Sequence, residues 1–337
     1  MIVKMVNVIR EQISWLPKIF IKKHRIWIFC YHGVVERIRD SRLERNLCLL
    51  SSFKSQLQSL RRMRVLHAEE LMDELQAPLE RRKPAAVLTF DDGYANNLLA
   101  GEILAEAKLP WSVFVSTGAL GRGSTIWTVE LSLLLLHGQG EKVDVLGRVW
   151  PLTSRRDRED TFQDIRYPMK TMPADLRQET MARIRAQFPR GETQRLLQDF
   201  PSLQMLTWEE VIKLAQAGVE IGSHGVNHEI HHGAQPEEVR RRELVGSKAE
   251  IERRLERPCR FFAFPNGDFN VASAAEVREA GYDLAFTLEP GNDLRGESPY
   301  LLPRISGSDT QVSSLKFAVK VLGKIRQSVS VALNLKI

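Results

Sequence analysis

Short apolar runs alternate along this chain with stretches whose apolar positions recur every three to four residues. The runs predict β-strands at Ile26 to Tyr31, briefly near Val65, at Ala86 to Phe90, Ser112 to Ser116, Val219 to Ser223, Arg260 to Phe264, Leu284 to Thr287 and Leu301 to Ile305. The helical spacing covers Phe53 to Arg62, Ala68 to Leu75, Ala95 to Lys108, Trp208 to Ala217, Pro236 to Glu256 and Ala272 to Ala280. Short strands separated by helices point to an α/β fold. Several helix ends carry their own signals. Thr207 with Glu210 reads as a capping box, Pro236 suits a first turn, and Gly218 and Gly281 suit helix stops.

One region breaks the alternation. From Gly118 to Leu206 the chain has a leucine run (Leu131 to Leu136), an Arg-rich polar stretch around Arg155 to Arg166, and then helical pattern. This is read as an insertion between two core strands, mostly helical, which covers a site or binds a partner. Its leucine run is too short to span a bilayer and is expected to be buried. No internal repeat or low-complexity tract is present.

At 337 residues the chain can bury a full core, as one large domain or two small ones. The net charge of +6 matters only where it clusters. It clusters at the ends. Segment 1–25 mixes lysines with Ile, Val, Trp and Phe. In segment 311–337, Lys316, Lys320 and Lys324 share one helical face, with Leu315, Ala318, Val319, Leu322 and Ile325 near the other. Two readings stay open: a terminal helix docked on the core, or a surface helix resting on anionic lipid. Cys30, Cys48 and Cys259 form neither a zinc pattern nor a disulfide framework, which suggests a reducing compartment. With no secretory signal pattern and no apolar stretch of spanning length, the expected location is the cytoplasm, with peripheral contact at the inner face of the plasma membrane. Nothing suggests nucleic acid as a partner.

The chemistry concentrates where three strands end. Asp91-Asp92-Gly93-Tyr94 follows Val87-Leu88-Thr89-Phe90 directly. Adjacent carboxylates repel, so one of them wants a cation or a proton. Asp-Gly also suits an ordinary turn, though a turn does not need both aspartates. After the run ending at Ser223, His224 and His228 have a spacing that can bring two imidazoles together. Gly225 and Asn227 weaken a helix there and favour a loop with one tight turn. A polar loop that is merely His-rich, with His231 and His232 close behind, is the plainer alternative. Two His and one Asp leave a coordination position open for water, and the spare carboxylate could take that water's proton. The third strand, Arg260 to Phe264, ends in Pro265-Asn266-Gly267, by itself a turn. Carboxyl ends of strands are where α/β barrels gather catalytic residues.

Together these segments resemble the polysaccharide deacetylase family, whose shared core is the NodB homology domain. Thr89-Phe90-Asp91-Asp92-Gly93-Tyr94 is similar to its first motif, Ser223-His224-Gly225-Val226-Asn227-His228 to its second, and Arg260 to Gly267 to the third in a branch ending in Pro-Asn-Gly. Tyr31-His32-Gly33-Val34 resembles the opening strand of that branch, and the likeness runs from Ile26 to about Ile305. The resemblance implies a distorted (β/α) barrel of about seven parallel strands spanning residues 26–310, and metal-dependent deacetylation of N-acetylated sugars. It implies Asp91 as general base, Asp92, His224 and His228 as ligands of a divalent metal (most often zinc), and Pro265, Asn266 and Gly267 lining the acetyl pocket. A backbone N–H of that segment would serve the oxyanion. Tyr94 and His32 are taken as further substrate contacts.

Two positions depart from the family pattern. The arginine that many members place in motif three is Ala263 here, and Arg304 is the candidate replacement, with a structural salt bridge as its plainer role. The usual late histidine is missing near Leu301 to Ser308, which leaves the acid unassigned between His32 and a proton passed back from Asp91. The expected function is hydrolysis of the acetamide of an N-acetylated sugar polymer or lipid-linked glycan precursor. Two alternatives remain: a non-catalytic carbohydrate-binding protein on the same fold, and a hydrolase of another C–N bond.

Overall fold

Core strands here are apolar on both faces, which suits a parallel sheet covered on two sides. The computed structural model describes residues 26–307 apart from 61, 62, 79, 80, 82, 290, 292, 293 and 295–297. The basic segments 1–25 and 311–337 lie outside the described residues.

In chain order the strands are β1 (Ile26–Tyr31), β2 (Gly33–Val35), β3 (Leu47–Leu49), β4 (Arg64–Leu66), β5 (Ala85–Phe90), β6 (Ser112–Val115), β7 (Lys142–Val145), β8 (Arg148–Pro151), β9 (Glu220–Ser223), β10 (Phe261–Ala263), β11 (Leu284–Phe286) and β12 (Ile305–Ser306). The helices are α1 (Leu50–Leu60), α2 (Ala68–Gln76), α3 (Asn97–Glu106), α4 (Trp127–His137), α5 (Arg155–Thr171), α6 (Ala174–Arg185), α7 (Glu192–Asp199), α8 (Trp208–Gln216), α9 (Glu237–Leu255) and α10 (Ser273–Glu279).

Seven strands run in the order β11-β10-β9-β6-β5-β1-β12, all parallel. β4 lies beside the first half of β5, on the edge that β6 takes over further along. The chain then joins the two ends of this order. Leu302 bridges Phe286 in β11, and Ile305 and Ser306 pair with Phe29 and Cys30 in β1. The sheet thus curls into a distorted barrel, as expected. The expected last strand, Leu301 to Ile305, is split in two. Pro303 has no N–H to give the ladder, so pairing breaks there and resumes at Ile305.

Beneath the strand ends lies an aromatic floor. Tyr31 packs on Phe53 and Phe90 at 5.2 Å in each case, and Phe90 meets Trp111 at 5.1 Å. The Tyr31 hydroxyl donates to Gln56 at 2.6 Å, so its one polar atom is satisfied. This floor fixes the ends of β1 and β5, from which the site rises.

Between β6 and β9, which are neighbours in the sheet, residues 118–206 fold as α4, the antiparallel hairpin β7–β8, α5, α6 and α7. The leucine run is buried in α4, as a helix that is apolar all round should be. The Arg-rich stretch is α5, which opens on a capping box between Ser154 and Asp157. This layer has its own core, including Leu131, Leu134, Ile165, Ile184 and Leu197. No described helix is long and apolar enough to cross a membrane.

Candidate active site

Side chains alternate along a strand, so Thr89 and Asp91 leave β5 on the same side. Both meet Arg304. Its Nη1 donates to Asp91 Oδ1 at 2.7 Å and to Thr89 Oγ1 at 3.1 Å, its Nη2 donates to Asp91 Oδ2 at 2.6 Å, and its Nε donates to the Thr287 carbonyl at 3.0 Å. The pair is sealed from solvent, with Arg304 1 % and Asp91 2 % exposed. The Cys30 thiol donates to Asp91 Oδ2 at 3.2 Å, and the Asp91 N–H donates to the Tyr31 carbonyl at 2.8 Å. Burial opposes charge on Asp91, but Arg304 and His224 outweigh it and hold the carboxyl below its ordinary range.

The chain then turns sharply. Asp92 (φ 70°) and Gly93 (φ 84°) are both left-handed, which swings the second carboxylate away from the first. The Asp-Gly turn and the site are therefore one object. Asp92 Oδ1 lies 3.3 Å from His224 Nε2 and 3.3 Å from His228 Nε2. His224 Nδ1 donates to the Ala263 carbonyl at 2.7 Å, which leaves the Nε2 lone pair facing Asp92. Burial lowers the basicity of His228, whereas for His224 the aspartates outweigh burial and raise it. Asp92 Oδ1 is buried without a hydrogen-bond partner. A buried carboxylate oxygen facing two imidazole nitrogens, with all three atoms within 4.8 Å of one another, is a donor set that a divalent cation satisfies.

The two imidazoles do not share a helical face; His224 to His232 is a loop. Gly225 (φ 81°) and His228 (φ 56°) make its bends. A Cβ on Gly225 would lie 2.6 Å from Glu243 Oε2, so glycine is needed twice over. Glu243, wholly buried on α9, accepts the N–H groups of Val226 and Asn227 at 2.8 Å each. The 118–206 layer braces the same loop. Trp127 Nε1 donates to the His228 carbonyl at 3.0 Å, Arg177 pairs with the buried Glu229, and Gln235 accepts the Ala174 N–H at 2.8 Å. His231 stands apart from the Asp92, His224 and His228 group. Its ring packs against Phe262 and Phe264, and burial pushes its pKa down to about 3.

A cavity of about 380 Å³ opens over these groups, within the range of roughly 300–1,000 Å³ usual for small-molecule sites. Asp91, Asp92, His224, His228, Tyr94, His32 and Asn266 line it. His32 is half-buried and shares a cluster with Cys30 and Asp91, their polar atoms within 4.8 Å of one another. Tyr94 is buried, and burial first, then the neighbouring Asp92, pushes its hydroxyl pKa up. Of the Pro-Asn-Gly segment, only Asn266 reaches the cavity. Pro265 and Gly267 are buried behind it, and a Cβ on Gly267 would strike Leu288. Sequence reading missed Cys30, Trp127 and Lys170. Lys170 donates to Asn266 Oδ1, and only the Arg-rich composition of its helix hinted at a role.

A profile of the polysaccharide deacetylase family matches residues 79–285. The chain belongs to this family. Arg304 and His32 lie outside the matched stretch, so the family match does not bear on them. YxkH of Bacillus subtilis (strain 168), whose name places it in the same family, is 28 % identical over 100 residues, 30 % of this chain and 36 % of that protein. The match thus spans about a third of that relative. Among solved structures, the Streptococcus pyogenes deacetylase PplD in complex with acetate is 17 % identical with a TM-score of 0.55, over 88 % of this chain and 98 % of that one. IcaB from Ammonifex degensii is 18 % identical with a TM-score of 0.56, over 88 % and 97 %. At these identities the likeness is one of fold.

Proposed function

We propose that this protein hydrolyses the acetamide of an N-acetylated sugar, in a glycan or a lipid-linked glycan precursor. The observation that carries the reading is the buried Asp91–Arg304 pair set beside the Asp92, His224 and His228 group. The neighbour PplD holds acetate, the product such a reaction releases.

Asp92, His224 and His228 would hold a divalent cation, and zinc suits two imidazoles and a carboxylate. When bound it supplies Lewis acidity toward water and toward the acetyl oxygen. Asp91 takes the proton from the attacking water. Two bonds from Arg304 keep it ionised and fix its oxygens in one orientation, so no reorientation is needed at the moment of transfer. Within Pro265–Gly267 the Gly267 N–H is spent on the Phe264 carbonyl, and proline has none. The Asn266 N–H is then the segment's donor toward the developing oxyanion. His32 lies near Asp91 on the cavity wall and is the candidate to protonate the leaving nitrogen, with the proton held by Asp91 as the alternative source.

Asp91→Asn should lower acetate release by about 100-fold or more while elemental analysis still finds the metal. His228→Ala should lose the metal itself. Near-normal acetate release from a folded Asp91→Asn protein would overturn the assignment.

A further inference from the structure

Four cationic side chains line the cavity beside the metal group: Arg42, Arg45, Arg166 and Lys170. Arg42 is spent on Asp40, to which its Nε donates at 3.0 and 3.1 Å. The other three have no such ion pair: Arg166 lies 5.6 Å from the Phe162 ring, and Asp268 is bonded to Asn266 rather than to Lys170. Among the described residues Arg45 and Arg166 pair with no carboxylate, and Lys170 donates only to the neutral amide oxygen of Asn266. Arg166 and Lys170 stand one turn apart on α5, a spacing at which like charges repel. Arg45, exposed on the loop between β2 and β3, lines the same cavity. Desolvation and then Arg166 lower the Arg45 pKa, while desolvation followed by Arg45 and Arg166 lowers that of Lys170 against the opposing pull of Asp268. The carboxylates on the cavity wall, Asp91 and Asp92, face Arg304 and the imidazoles.

A chain that gathers three cations on one wall, against their mutual repulsion, has built a place for negative charge. We propose that Arg45, Arg166 and Lys170 form an anion subsite, and that the acetamido sugar turned over here carries a phosphoryl group beside the reacting ring. This rests on the deacetylase reading and narrows its substrate. A single carboxylate is matched by one arginine fork and would leave two cations bare, whereas a phosphate or diphosphate offers charge and oxygens for all three. The bond from Lys170 to Asn266 ties the subsite to the residue assigned to the acetyl group, so anion and acetamide belong to one substrate. Both α5 residues come from the 118–206 layer, giving that layer a part in substrate choice.

The test compares acetate release from N-acetylglucosamine 1-phosphate, a farnesyl-diphosphate-linked N-acetylglucosamine, neutral di-N-acetylchitobiose, and a disaccharide of N-acetylglucosamine and glucuronic acid. In the wild type, kcat/KM should favour both phosphorylated substrates by about tenfold or more over the other two, the usual worth of a charged hydrogen bond. In the Arg45→Gln/Arg166→Gln protein that ratio should fall toward one; a merely structural role would lower all four rates together. Preference for the farnesyl substrate over the soluble one identifies a lipid-linked source, and equal preference a free sugar phosphate; both support the subsite. Equal rates on all four, or a preference for the glucuronic acid compound, overturn it while leaving deacetylation intact. If no substrate releases acetate, deacetylation fails instead, and calorimetric binding of N-acetylglucosamine 1-phosphate decides the subsite alone. About tenfold weaker binding by the double variant supports it, and unchanged binding overturns it.

Discussion

Asp91 and Asp92 leave the end of β5 with a paired ladder behind them, and His224 leaves β9 in the same way, whereas His228 sits four residues further along a loop without regular structure. On the carboxylate side β5 is paired to β1 and β6, the Asp91 N–H is tied to Tyr31, and Arg304 arrives from the segment that closes the barrel. Every one of these partners is itself part of the barrel. On the imidazole side the His224 N–H donates to the Val115 carbonyl at 2.9 Å, and the Gly225 and Val226 carbonyls accept from Thr117 and Gly118; the rest of the loop is held by side chains from elsewhere, Glu243 from α9, Trp127 from α4 and Arg177 from α6. The strand-end part of the site, His224 included, is built by backbone pairing, and the His228 end of the loop by separate, removable props. Damage to the first should therefore appear as lost stability, and damage to the second as lost metal affinity in a folded protein.

The strongest way to break the carboxylate half is Arg304→Met. It leaves Asp91 buried with an unmatched charge and frees the Thr287 carbonyl, and loss of one partner of a buried pair costs about 3–5 kcal/mol. Urea unfolding at pH 7 should show that loss. The pH dependence has a definite sign. Because the folded Asp91 pKa is depressed, the pair's contribution is complete above the ordinary carboxylate pKa near 4 and is lost as pH falls through the folded value. The gap between wild type and Arg304→Met should be full at neutral pH and narrow in acid. A gap of equal size at pH 7 and in acid would show that Asp91 is not what Arg304 stabilises.

The same contrast explains what could be read from the chain. The α/β alternation was legible because its strands are continuous apolar runs, the barrel was implied by the family resemblance, and Asp91 and Asp92 were legible because they follow such a run directly. His224 and His228 were legible as a pair of types, but their convergence depends on left-handed backbone at Gly225 and His228 and on Glu243, whose place on a polar helix carries no local mark. Arg304 could be nominated because a base-orienting arginine was absent at Ala263; its contact with Asp91 spans 213 positions and needs the barrel to close. Pro265 and Gly267 were placed one step too far forward, since the left-handed turn at Asn266 exposes only the middle residue. Lys170 and Trp127 belong to the 118–206 layer, and no periodicity tells which face of that layer meets the barrel.

A smaller effect is expected from Glu243→Ala, which removes a buried carboxylate holding two N–H groups of the histidine loop. Hydrogen bonds to charged groups are worth about 1.5–3 kcal/mol each, part of which is recovered when the loop relaxes. Metal affinity, read by competition with a chelator, should fall by about 10–100-fold, the usual consequence of losing support behind a ligand. The unfolding midpoint should move less than in Arg304→Met. Unchanged affinity would mean that the imidazoles keep their places without the α9 prop.

Trp127→Phe asks for the least and isolates one bond. The Arg177 guanidinium lies 4.8 Å from the Trp127 ring, and phenylalanine keeps an aromatic face there while losing the Nε1–H that binds the His228 carbonyl. A neutral hydrogen bond is worth about 0.5–1.5 kcal/mol, so metal affinity should weaken by roughly two- to tenfold. A fall as large as that of Glu243→Ala would make the 118–206 layer the main brace of His228. No change at all would reduce that layer, on the metal side, to a roof, and leave its influence to the cations it presents across the cavity.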